Sequence, residues 1–190
     1  MRVLGIDCGS EYTGYGVVEE VATGSDPARS RRLVCCGSGV IRLKPRDSMA
    51  LKLQQIFSSL SAIIAEHQPR MVAIEDVFYA VNVKSALKLG QVRGVAMLAA
   101  AWAGLEVAEY APLTIKSAVV GYGNAEKAQV QHMVMRLLGL ASAPTPHDAA
   151  DALAVAICHV HSQPPARVAA SAQPARSRST NWRTYRPARS

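Results

Sequence analysis

Four carboxylates in this chain fall where carboxylates are costly to keep. Asp7 and Glu75 each close a short apolar run, VLGID and MVAIE, while Asp148 and Asp151 interrupt the alanine-rich stretch PHDAADALAVAICHVH. Removing an ionised carboxylate from water is expensive unless it is paired, hydrogen-bonded or bound to a cation. Ordinary explanations exist for each one taken singly. Asp7 at the end of a strand suits an Asx-type turn onto the amides of Gly9 or Ser10, and an acid in the first turn of a helix complements the helix dipole. Taken together they call for more. Four carboxylates brought within a few ångströms repel, and several stay protonated unless two Mg²⁺ ions about 3.5–4 Å apart, or Mn²⁺ in their place, stabilise the ionised cluster. Such a pair activates a water and neutralises charge on a scissile phosphate. The chemistry is phosphodiester hydrolysis.

The elements that must carry these acids can be read in turn. Residues 3–20, VLGIDCGSEYTGYGVVEE, give two antiparallel strands, with Val3, Leu4 and Ile6 suited to burial on both faces, and Gly14 and Gly16 permitting either tight turning or close backbone approach. After the turn-forming TGSDPARSRR, Leu33 to Leu43 gives a third strand and completes a meander. Asp47 or Ser48 can cap a helix whose apolar positions Leu53, Ile56, Phe57, Leu60, Ile63 and Ile64 follow helical spacing and which stops before Pro69. That helix serves as a crossover, so Met71 to Glu75 runs parallel to the first strand and brings Glu75 beside Asp7. Side chains alternate, so only one of Glu75 and Asp76 faces Asp7's side; Glu75, in line with Ala73 and Met71, is the choice, which leaves Asp76 near the turn.

Residues 84–103 predict an alanine-rich helix, whose Gly90 and Gly94, four apart, permit close approach of another helix or ordinary packing. Leu105 to Tyr110 predicts a fifth strand and Pro112 to Val120 a short helix carrying Lys116. Asn124 is expected to cap a helix over Ala125 to Leu138 that holds Lys127 in its first turn, where the dipole prefers acids, so that cation has another use. The final helix, Pro146 to His161, places Asp148 and Asp151 on one face by their i, i+3 spacing, among small Ala149, Ala150 and Ala152.

At 190 residues and 49% hydrophobic, the chain can bury one core. The N-terminus does not resemble a signal peptide and no apolar run approaches the roughly 20 residues of a membrane span, so a soluble cytoplasmic protein without a membrane partner is expected. Cys8, Cys35, Cys36 and Cys158 lack zinc-site spacing and read as reduced, small buried residues. The net charge of +7 is unevenly spread: six arginines and no acid follow Gln163, which leaves 7 − 6 = +1 for residues 1–162. The expected division is a nuclease domain over 1–162 and a disordered basic tail over 163–190, suited to phosphate, to an acidic partner, or to solubility alone. Trp182 and Tyr185 within it could stack on bases or dock on a protein.

The motifs GIDCGSEYTGYGVV, AIEDVF, SALKLGQVRGVA, AEKAQVQHMV and HDAADALAVAICH resemble, in order and spacing, the bacterial RuvC-type Holliday-junction resolvases over residues 1–162. That resemblance implies an α/β, RNase H-like sheet of five strands, three antiparallel and two parallel, flanked by helices. It implies a homodimer that cuts opposed strands of a four-way DNA junction within short TT-containing sequences, using Asp7, Glu75, Asp148 and Asp151 as ligands of two Mg²⁺ ions. It further implies Lys116 and Lys127 near the scissile phosphate, Phe78 on junction bases, residues 84–103 as the dimer helix, and a branch-migration partner of the RuvAB type. Lys116 also fits a solvated helix face. The chain departs from the family pattern at Asp76, where an uncharged residue is expected, at His147, a candidate ligand or base beside Asp148, and in its arginine-rich tail.

Other classes fit less well. Actin-like ATPases open on a similar acidic strand turn but need a second such domain, and 190 residues leave no room for it. An RNase H-like nuclease acting on RNA is the nearest enzymatic rival. A non-catalytic junction-binding protein has no need of all four acids.

Overall fold

The computed structural model describes residues 1–23, 31–76 and 82–163. Strands β1 (Arg2–Asp7), β2 (Tyr12–Ala22) and β3 (Arg31–Arg42) form the meander, α1 (Met49–His67) leads to β4 (Met71–Glu75), and α2 (Val83–Trp102) leads to β5 (Glu106–Tyr110). Three helices follow: α3 (Pro112–Val120), α4 (Lys127–Leu138) and α5 (His147–Ser162). The sheet order is β3-β2-β1-β4-β5, with β1–β2 and β2–β3 antiparallel and β4 and β5 added parallel to β1. This is the five-stranded mixed sheet the sequence led us to expect.

Alternation along the strands sorts the core into two layers. Val3 of β1 and Ala73 of β4 pack with α3, α4 and α5 on one face; Leu4, Ile6, Val72 and Ile74 pack with α1 and α2 on the other. Asp7 and Glu75 share the parity of Val3 and Ala73 and so look toward α5, as the choice of Glu75 over Asp76 required. Helix α1 starts where Ser48 Oγ accepts from the Leu51 amide at 3.4 Å, and ends where Gln68 adopts a left-handed φ of 47° and returns its N–H to the Ile64 carbonyl at 2.9 Å.

Helix α5 is the centre of the second layer. Its residues 149, 150 and 152–160 are all buried, between β1 and β2 below and α3 and α4 above. It lies so close to the sheet because glycines face it: a Cβ on Gly5 would come within 2.1 Å of the Ala152 carbonyl oxygen, and one on Gly14 within 2.0 Å of the Asp148 carbonyl oxygen. Of the two uses open to Gly14, close approach is the one realised.

One boundary differs from expectation. Helix α4 begins at Lys127 with Glu126 as its cap, not at Ala125 under Asn124. The Glu126 N–H is met by Gln129 Oε1 at 2.8 Å, and this local pairing fixes the start two residues later. All four cysteines are free thiols; Cys8 and Cys158 are buried, whereas Cys35 and Cys36 are only half-buried. Among the described residues no helix is long and apolar enough to cross a membrane. Phe78, the tail beyond Gln163 and most of the 23–32 turn lie outside the described residues.

Candidate active site

The parallel register pairs Ile6 with Ile74, so the next residues, Asp7 and Glu75, stand side by side where β1 and β4 end. Helix α5 adds Asp151 from above, α3 adds Lys116 and α4 adds Lys127. These five side chains line one cavity of about 330 Å³, with Pro112 and Ile115 among its apolar walls. Asp148 is set one turn back, half-buried over Gly14, and does not line the cavity, although its charge still reaches Asp7.

Burial is the main force on the Asp7 carboxyl, and the neighbouring Glu75, Asp151 and Asp148 add to it; together they push it up to about 7. Glu75 is likewise raised by burial and by Asp151, against the pull of a hydrogen bond with Asp7 and of Lys127 and Lys116. No hydrogen bond from the Gly9 or Ser10 amides reaches Asp7 among the described residues, so the Asx-type turn is not what holds it. Lys127 Nζ lies 2.7 Å from Asp151 Oδ2, and that contact holds the ammonium pKa above its ordinary value. A lysine placed against the dipole preference of its own helix thus faces a carboxylate on the next one.

Among the described residues no group of three or more His, Cys, Asp or Glu side chains is set to hold a metal ion as it stands, and Asp151 is turned toward Lys127. The donor set nevertheless suits a hard divalent cation. Three carboxylates face two lysines across a half-open cavity, which leaves negative charge unmatched, and Asp7 carries the cost of it. His147 is turned to the side chain of Gln131 on α4, joining the start of α5 to its neighbour.

Sequence reasoning did not find the groups that brace this site. On the opposite face of the sheet, Arg93 of α2 pairs with both Asp76 and Glu109. Behind α5, the Tyr110 hydroxyl meets Nδ1 of buried His159 at 2.8 Å, tying the end of β5 to that helix. The available signal for Arg93 was its place as the lone polar residue in the otherwise small and apolar run 92–102.

A family model described as crossover junction endodeoxyribonuclease RuvC matches residues 3–159. The chain is 63% identical over 161 residues to the crossover junction endodeoxyribonuclease RuvC of Koribacter versatilis, covering 85% of this chain and 93% of that one. Among solved structures, it is similar to Thermus thermophilus RuvC, with a TM-score of 0.76 at 32% identity over 85% of this chain and 94% of that one. The same T. thermophilus protein in complex with Holliday junction substrate gives a TM-score of 0.75 at 29% identity, with the same coverage.

Proposed function

The chain belongs to the RuvC family of crossover junction endodeoxyribonucleases, and from that premise we propose that it resolves four-way DNA junctions by hydrolysing one phosphodiester in each of two opposed strands. The observation that carries this reading is the convergence of Asp7, Glu75 and Asp151, from three separate elements, with Lys116 and Lys127 on one cavity. Asp7, Glu75, Asp151 and, from one turn back, Asp148 are the residues that would hold Mg²⁺, with Mn²⁺ able to replace it. When bound, such ions activate water and neutralise the scissile phosphate. The acids gather their ligand oxygens at one half-open pocket. The lysines orient the phosphate and stabilise the negative charge that builds on it during the reaction.

Recognition of the junction is assigned to Phe78 for the bases and to the lysines for the backbone, with the six tail arginines adding contacts to phosphate. Opposed cuts need two cavities, so a homodimer is part of the proposal. Helix α2 supports it: Val83, Leu87, Leu98 and Trp102 are exposed along one stripe, and a Cβ added at Gly90 or Gly94 would meet nothing within 4 Å. We assign the enzyme to the cytoplasm, to DNA recombination and repair, and to work beside a branch-migration motor of the RuvAB type.

The test is a labelled synthetic four-way junction incubated with the purified chain and Mg²⁺ or Mn²⁺. Paired nicks at equivalent positions on opposed strands are expected, with linear duplex and an RNA–DNA hybrid of the same sequence left largely intact. Asp7→Asn, Glu75→Gln, Asp148→Asn and Asp151→Asn should each abolish cutting and retain junction binding in a gel shift. Lys116→Ala or Lys127→Ala should slow single-turnover cleavage on the order of 10²-fold. Preferential cutting of the hybrid would make the chain a ribonuclease, and binding unaccompanied by cutting would make it a junction-binding protein.

A further inference from the structure

The strand ends that present Asp7 and Glu75 to the cavity carry a second set of polar groups on their other face. Cys8 follows Asp7, Asp76 follows Glu75, and Glu109 lies on β5 beside Ile74 of β4. By alternation these three look toward α2, and there Asp76 and Glu109 meet Arg93. Its Nη2 is 3.2 Å from Asp76 Oδ1 and also contacts Glu109 Oε2. The Asp76 N–H bonds the Tyr110 carbonyl at 2.8 Å, so the β4–β5 ladder runs one residue past Glu75, to the level where the guanidinium crosses.

Stability alone does not account for this arrangement. The Arg93 side chain is only 23% exposed, and its Nε is buried without a hydrogen-bond partner among the described residues. A buried donor left unmet costs free energy, and a buried ion pair is weak evidence for stability because apolar replacements often serve as well. What such a brace supplies is geometry. Glu75 needs it, because it is the last residue of a five-residue strand and Asp76, the residue the guanidinium grips, follows it directly.

We propose that Arg93 is a positioning residue for the reaction: by clamping Asp76 and Glu109 it fixes the ends of β4 and β5 against α2, and so holds the Glu75 carboxylate where a metal ion and the phosphate need it. The inference rests on the reading of the cavity as the hydrolytic site. It differs from a packing role in what it predicts for metal binding, since groups that orient a ligand from behind it typically tune affinity or activity by about 10- to 100-fold.

The experiment uses the full chain and three readouts: the Mn²⁺ concentration that gives half of the metal-induced thermal shift, single-turnover junction cleavage, and junction binding without metal. Arg93→Gln should raise the Mn²⁺ midpoint about 10-fold or more and slow cleavage comparably, with junction binding unchanged. Arg93→Lys, which keeps the charge without the fork, should fall between. Asp76→Asn, at a half-exposed position that tolerates the change, should move the midpoint in the same direction by a smaller factor, and it decides the matter if Arg93→Gln does not fold. Variants that melt earlier but keep the wild-type midpoint and cleavage rate would overturn the proposal and leave Arg93 a structural residue. A wild type that binds Mn²⁺ but cuts no junction would instead sink the resolvase reading, and the midpoints of the variants would still judge the brace.

Discussion

Asp7 bears the electrostatic cost of the site, and that cost is measurable without any substrate. Its carboxyl is pushed up to about 7 from an ordinary value of 3.8, first by burial and then by Glu75, Asp151 and Asp148. Between those two values the folded chain keeps a proton that the unfolded chain has released. The contribution of Asp7 to stability is therefore full below about pH 4 and is lost as pH rises through about 7, by an amount on the order of a few kcal/mol. Glu75, raised for the same leading reason, acts with the same sign. Without divalent ions the melting temperature should drop across that window, Asp7→Asn should flatten the drop, and Mn²⁺ added at pH 7.5 should reverse it in the wild type alone. Identical profiles for wild type and Asp7→Asn would mean that Asp7 is not held against its neighbours as described. At this scale the sequence was informative wherever a residue conflicted with its setting: an acid at the end of an apolar strand, a lysine at the start of a helix. Arg93 gave a fainter signal, because its partners come from two strands and neither pairing is visible in local spacing.

Among the elements, α5 and the strands beneath it are the joint on which the acids depend. Gly5→Ala should lift the helix, since the added carbon would lie 2.1 Å from the Ala152 carbonyl oxygen and 2.7 Å from the Ala156 nitrogen, both backbone atoms that cannot swing aside. Overpacking of this kind costs about 1–3 kcal/mol, so the melting temperature should fall by several degrees, and cleavage should fall further than stability because Asp151 rides on the displaced helix. Cleavage that merely tracked the folded fraction would show that α5 does not need this seat. The strands and α3 were legible from apolar runs bounded by turn residues and from Pro112 at a helix start. The beginning of α4 was not, because Asn124 and Glu126 are both competent caps and a contact with Gln129 chose between them. Nor could the role of Gly14 be read locally: the backbone it admits belongs to Asp148, 134 residues further along the chain.

For the whole molecule, the cavity lined by Asp7, Glu75 and Asp151 accounts for one broken phosphodiester, and resolution of a four-way junction needs two such cavities related by a twofold axis. We expect a dimer in solution, joined along the exposed stripe of α2 where Leu87 is 66% and Trp102 79% exposed. Gly94→Glu should give monomers by sedimentation that keep the metal-induced thermal shift yet lose paired nicking. A wild type that is monomeric under conditions where it still makes paired nicks would rule this out. The burial of α5 has one more consequence, in time rather than in space. Asp148 and Asp151 ride on a helix buried over residues 152–160, whose inner amides should exchange hydrogen among the slowest in the molecule, whereas Lys116 and Lys127 ride on shorter helices of nine and twelve residues, whose amides should exchange sooner. On that expectation the two halves of the site keep different clocks, the acids on α5 held longer in place than the two lysines that face them.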